Sequence, residues 1–214
     1  LSFAPRFDLA PRYSYDAGRR TFMNSLLASV IITTVLSLDW FKQSSKDFFL
    51  RPPGVTASDF STRCIRCGLC LKVCPTGGLQ IDMDRSGVES AGIPLLVPRM
   101  GFCQFSCNAC GQICPVQAIP PLSLEEKQSA VIGKAYIDHD RCIAWGDHQT
   151  CIVCEEMCPL PQKAITLESG TFPAGDGTMT IPLPVVNRDT CIGCGICENK
   201  CPVAGESAIR VHIS

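Results

Sequence analysis

Apolar residues in this 214-residue chain come mostly in short bursts rather than in long helical stripes. Six bursts stand out: Gly78–Met83, Ile93–Val97, Lys134–Ile137, Ala164–Leu167, Pro184–Val186 and Ile209–Ile213. Each is only a few residues long and rich in aliphatic side chains. Such runs, separated by Gly, Pro, Asn and Asp, predict short strands joined by tight loops. Gly170 to Thr178 is dense in turn formers and reads as a loop or hairpin. It lacks the helix-entry lysine of a phosphate-binding loop.

One stretch is longer. Thr21 to Leu38 carries no charged residue and as a helix would run about 27 Å, slightly less than a bilayer core. Asn24, Ser25, Ser29, Thr33, Thr34 and Ser37 dilute its hydropathy. Arg19-Arg20, with Phe22 close behind, resembles a twin-arginine export signal. No Ala-x-Ala cleavage pattern comes after it, so the expectation is one retained transmembrane helix over residues 21–41. A buried soluble helix or an interfacial helix is the competing reading. The arginine pair lies nearer the run than Lys42, Lys46 and Arg51 do, and the positive-inside rule then places the cysteine-bearing residues beyond it on the extracytoplasmic (periplasmic) face. The first residue is Leu, which suggests that the chain begins inside a longer product or after processing. The expected order is an arm (1–20), the anchor (21–41) and a connector (42–60) broken at Arg51-Pro52-Pro53-Gly54.

The remaining residues are organised by cysteine. All 16 fall into four groups, each ending in Cys-Pro. They are Cys64, Cys67, Cys70 and Cys74; Cys103, Cys107, Cys110 and Cys114; Cys142, Cys151, Cys154 and Cys158; and Cys191, Cys194, Cys197 and Cys201. The first and last have the spacing C-x2-C-x2-C-x3-C-P, the ligand run of [4Fe–4S] clusters. The second has a first gap longer by one residue. In the third, Cys142 stands well before the tight loop, yet the count of four thiols per cluster requires it. Three closely spaced thiols wrap three corners of a cubane, and the fourth reaches the other cluster of a two-cluster unit. The fourth cysteine is expected at the start of a helix, with Pro75, Pro115, Pro159 and Pro202 in its first turn. Gly68, Gly111 and Gly195 are expected to bring backbone close to the sulfides at positive φ. Disulfides fit poorly, because adjacent thiols in such runs are badly placed to pair with each other. Zinc fits poorly because it favours paired cysteines or histidines.

Linkers 75–102, 115–141 and 159–190 are near-equal, which marks an internal repeat. Strand, ligand loop, helical turn and strand would recur at each group. The expected fold is α+β, with two tandem two-cluster ferredoxin-like units at 61–130 and 131–214. A strand before the third group and another after the fourth favour pairing one with two and three with four. Cluster 1 would then use Cys64, Cys67, Cys70 and Cys114, and cluster 2 Cys103, Cys107, Cys110 and Cys74. Cluster 3 would use Cys142, Cys151, Cys154 and Cys201, and cluster 4 Cys191, Cys194, Cys197 and Cys158. A nested pairing, one with four and two with three, is the alternative.

Aromatic residues make up 7% and charged residues 18%, so the apolar core is modest and bound clusters would serve as part of it. Folding is then expected to be coupled to cluster insertion. The formal charge of −1 becomes more negative once clusters bind, and no basic stripe suggests nucleic acid. His139, His148 and His212 are isolated, and His148 reads as a solvated loop residue. Glu125-Glu126-Lys127 reads as a solvated helix start, and Tyr136 and Trp145 as ordinary packing. The absence of C-x-x-C-H argues against covalent haem.

These motifs resemble the NapG/MauM type of four-cluster ferredoxin subunit. The resemblance rests on Gly18-Arg19-Arg20-Thr21-Phe22, Arg51-Pro52-Pro53-Gly54, Cys64-Ile65-Arg66-Cys67-Gly68, Gly101-Phe102-Cys103 and Cys191-Ile192-Gly193-Cys194-Gly195. It implies electron transfer between a quinol-oxidising membrane partner and an extracytoplasmic oxidoreductase. Family members commonly begin near the arginine pair, so the extra arm suggests a fused or longer membrane portion. The expected function is a membrane-anchored electron-transfer subunit, with no catalytic residue of its own and catalysis on a partner. The alternatives are a maturation helper of a redox enzyme, or an enzyme with one cluster left open at the third group.

Overall fold

The computed structural model describes residues 22–30, 50–81, 91–175 and 177–213. The chain divides into two compact units, Leu1–Ser44 and Ser45–Ser214. In the first, residues 22–30 form a helix (α1) whose side chains are exposed, among them Phe22, Met23, Leu26, Leu27 and Val30. Among the described residues no helix is long and apolar enough to cross a membrane. The expected arm, and the expected anchor apart from 22–30, lie outside the described residues.

The second unit runs α2 (Ala57–Arg63), α3 (Leu69–Val73), β1 (Leu79–Ile81), β2 (Pro94–Leu96), α4 (Ala109–Gln112), α5 (Leu124–Ser129), β3 (Lys134–Ile137), α6 (Val153–Glu156), β4 (Ile165–Ala174), β5 (Gly177–Val186), α7 (Ile196–Lys200) and β6 (Ile209–His212). Its strands form three antiparallel pairs: β1–β2, β3–β6 and β4–β5. Around the third and fourth cysteine groups, β3–β6 is the outer pair and the β4–β5 hairpin the inner one. The register sets Ala135 against Val211 and Ile137 against Ile209. Ile209 and Val211 face the core while Arg210 and His212 are partly exposed, the period-two alternation of a half-buried strand.

Among the described residues the first half shows the inner pair, with Leu79 opposite Leu96, and an antiparallel bridge from Leu50 to Leu96. Among the described residues, α2 rather than a strand directly precedes the first group. Its sequence Ala-Ser-Asp-Phe-Ser-Thr-Arg has no alternation of apolar and polar residues. Asp59 in its first turn and Arg63 in its last complement the helix dipole, and Phe60 anchors it at 1% exposure. The β4–β5 hairpin is longer than the apolar pattern suggests. Its ladder continues through exposed Thr171–Thr180 and on to a turn at Gly175, because main-chain pairing does not need apolar side chains.

One apolar core joins both halves. Leu50, Leu79 and Leu96 pack in the same cluster as Ala135, Ile165, Ile209 and Val211. The backbone N–H of Cys103 donates to the Cys194 carbonyl at 2.8 Å. The Arg99 guanidinium donates to the carbonyls of Glu198, Cys201 and Val203.

Candidate iron–sulfur centres

Short helices deliver the thiols. Gly68 (φ 72°) and Gly195 (φ 81°) are the N-caps of α3 and α7, in the left-handed region that lets the ligand loop turn straight into a helix. Gly111 works differently. It lies inside α4, where a Cβ would come within 2.2 Å of the Pro120 carbonyl oxygen, so a close backbone approach excludes a side chain there. Two of the fourth cysteines close their helices rather than open new ones, contrary to the expectation, and Cys114 and Cys158 come directly after the caps of α4 and α6, Ile113 and Met157. Cys74 and Cys201 are C-caps with ψ of 111° and 124°. The cause is the proline after each, which drives the preceding residue out of the α region.

The thiols gather around four cavities. Cys64, Cys67, Cys70 and Cys114 line one of about 330 Å³, walled by Phe60, Pro94 and Ile119. Cys74, Cys103, Cys107 and Cys110 line one of about 400 Å³, against Leu79 and Leu96. Cys142, Cys151, Cys154 and Cys201 line one of about 360 Å³, against Ile137 and Ile209. Cys158, Cys191, Cys194 and Cys197 line one of about 330 Å³, against Ala135 and Val211. In each cavity three thiols come from one group and one from its sequence neighbour. Cys142 reaches its cavity from the turn after β3, held by its N–H to the Asp138 carbonyl at 3.0 Å.

No disulfide joins any of the sixteen cysteines. Among the described residues no three His, Cys, Asp or Glu side chains converge tightly enough for a single ion. Four soft donors standing round an apolar void suit a cubane better than a point cation. Further donors reach the sulfurs: the Arg66 N–H to Cys64 at 3.4 Å and the Ala135 N–H to Cys191 at 3.4 Å.

Electrostatics agree with this arrangement. Burial, reinforced by neighbouring thiols, pushes Cys70 and Cys194 up to about 11, and Cys110 and Cys154 up to about 12. Four thiolates cannot share such a cavity without a cationic centre between them. Cys74 departs from the pattern. Burial raises it, but the Thr76 hydroxyl and the N–H groups of Leu79, Thr76 and Gly78 together bring it below the ordinary value.

Three residues around these centres carry no sequence signal that would place them there. Lys127, expected on a solvated helix start, is 2% exposed and reaches the second group's loop. Thr76 and Arg99 have no motif to mark them. The start of α5 is legible, since Ser123 and Glu126 form a reciprocal capping box. Which face it buries is not. His148 is not simply solvated: it stacks on Phe172 at 3.9 Å. His139 stacks on Trp145 at 4.0 Å, and the Trp145 indole donates to the Pro184 carbonyl.

A family model described as a 4Fe-4S dicluster domain matches twice, at residues 63–118 and 149–204. Two dicluster domains correspond to four [4Fe–4S] clusters. The second match begins after Cys142, the ligand candidate with the irregular spacing. Ferredoxin-type protein NapG of Haemophilus influenzae is 36% identical over 76% of this chain, which spans 58% of that relative. Methylamine utilization ferredoxin-type protein MauM of Methylorubrum extorquens is 36% identical over 76% of the chain and 71% of its own length. Ferredoxin-type protein NapG of Escherichia coli is 32% identical over 91% of the chain and 85% of its own length. With the dicluster pattern present twice and these relatives aligned across most of its residues, the chain belongs to the NapG/MauM family of ferredoxin-type proteins.

Proposed function

We propose that this chain is a membrane-anchored relay that passes single electrons through its four centres, with each four-thiol set described above holding one cluster. The observation that carries the reading is the contact between Cys103 and Cys194, which makes the centres contiguous across the two halves. Cys70 and Cys110 are near enough for their charges to interact, as are Cys103 and Cys194, and Cys154 and Cys197. The relay therefore runs first, second, fourth, third, not in chain order. The bound clusters supply one-electron redox chemistry. The chain supplies thiolates, apolar walls that exclude water, and N–H donors that favour the more negative state. Cys67 is exposed beside Ile65, which makes the first centre one terminus for a partner.

Catalysis then belongs to partners: a quinol-oxidising membrane protein at one end and an extracytoplasmic oxidoreductase at the other. The exposed apolar side chains of α1 support a membrane attachment, and the arginine pair before it supports a periplasmic location for the centres. Iron and acid-labile sulfide analysis with EPR on anaerobically purified protein tests the relay. About sixteen irons and spin coupling between reduced clusters are expected. About twelve irons, or four magnetically isolated signals, would contradict it. Carbonate extraction of membranes with protease protection tests the anchor and its orientation.

A further inference from the structure

Lys127 is the one buried charged residue among those described. Its ammonium donates to the Gln104 carbonyl and, at 3.1 Å, to the Phe105 carbonyl. Gln104 and Phe105 directly follow Cys103 in the chain, so the ammonium sits against the ligand loop that Cys103 opens. Two of the ammonium's three donors thus have partners in one ligand loop. Among the described residues no carboxylate forms an ion pair with it. A buried cation without a counter-charge is costly, so this position calls for an anion. The anion that belongs beside Cys103 is the thiolate-ligated cluster itself.

We infer that Lys127 is the counter-charge of the cluster held by Cys74, Cys103, Cys107 and Cys110, raises its reduction potential, and makes it the first of the four to accept an electron. A cation against a ligand loop favours whichever oxidation state carries more negative charge, and burial preserves the effect from screening by salt. Cations near other centres are placed differently. Lys134 reaches the Cys191 carbonyl at 2.9 Å, and Arg99 the Cys201 carbonyl at 3.1 Å, both from partly exposed positions. The favoured cluster is the one whose Cys103 touches the second half, so an electron entering at the first centre moves downhill to the junction.

The inference rests on these four thiols sharing one cluster, and the experiment separates the two claims. The holo-protein is titrated with dithionite under EPR: the reductant gives one electron, the cluster takes it, and no covalent bond changes. Lys127→Gln, with full iron content, should move the first-reduced couple to lower potential and leave the other three nearly in place. Lys127→Arg should restore it. Cys107→Ser should alter or remove that same couple. If Cys107→Ser alters no single couple, the ligand assignment has failed. If it does, but Lys127→Gln moves no couple or a different one, the role of Lys127 is overturned. Should Lys127→Gln lose iron, wild-type protein labelled with 15N at the lysine ammonium and poised at one electron decides. A hyperfine coupling to that nitrogen is expected, and its absence refutes the inference.

Discussion

At the scale of single residues, the behaviour of the centres is set by the thiols and by the groups that crowd them. Burial raises Cys70, Cys110, Cys154 and Cys194 from the ordinary 9.0 to about 11 or 12. A folded value above the unfolded one favours the protonated form. The stability this contributes to the reduced, metal-free fold is complete below pH 9.0 and lost as pH climbs through 11 to 12. Circular dichroism of the reduced, metal-free chain should therefore lose any folded signal in that alkaline window, while the loaded protein, whose ligands are already thiolates, should not share that transition. Gly111→Ala forces a Cβ against the Pro120 carbonyl. It should cost about 2 kcal/mol or more and lower iron in the first two centres, read as a fall in Tm and in iron per chain. Cys142→Ser tests the irregular ligand: iron should drop from about sixteen toward about twelve. Unchanged iron and unchanged EPR would remove Cys142 from the ligand set.

At the scale of elements the hairpin and the short helices behave differently. The outer rungs of β4–β5 are exposed, and only from Ile181 and Leu183 inward does the hairpin join the core around Cys142. Replacing residues 173–178 with Asn-Gly should leave iron content unchanged and stability within about 0.5 kcal/mol, measured by chemical denaturation. The short apolar bursts locate β1, β2, β3 and β6 to within a few residues, because each buries aliphatic side chains, alternately in β6 and at all three positions of β2. The outer hairpin leaves no such trace, since its exposed residues are paired only through the main chain. α2 is hidden for a related reason: among its described side chains Phe60 is the buried anchor, and a lone anchor carries no period. Cys-Pro suggests a helix start, but the constraint that proline places on the residue before it makes it a helix stop. The cysteine spacing is fully legible because cluster geometry dictates it. Lys127 is not, because burial of one helix face depends on the loop packed against it.

At the scale of the whole molecule, the two expected ferredoxin units form one body with a shared core. Arg99 is the most heavily bonded side chain across that join, giving hydrogen bonds to three carbonyls of the second half. Arg99→Met should cost roughly 1–3 kcal/mol, and hydrogen exchange should quicken around 198–203, next to Cys201. If exchange there stays as slow as in wild type, the join is held by the apolar core alone. The proposed relay order rests on the same join: Cys103 meets Cys194, so in that proposal the second centre hands over to the fourth and not to the third. An iron anomalous-difference map of the anaerobic holo-protein tests this most directly. Four cubanes are predicted, each on its own four-thiol set, with the Cys103 cluster beside the Cys194 cluster. Zinc or disulfides at these thiols, a nested ligand set, or a Cys103 cluster set apart from that of Cys194 would contradict it.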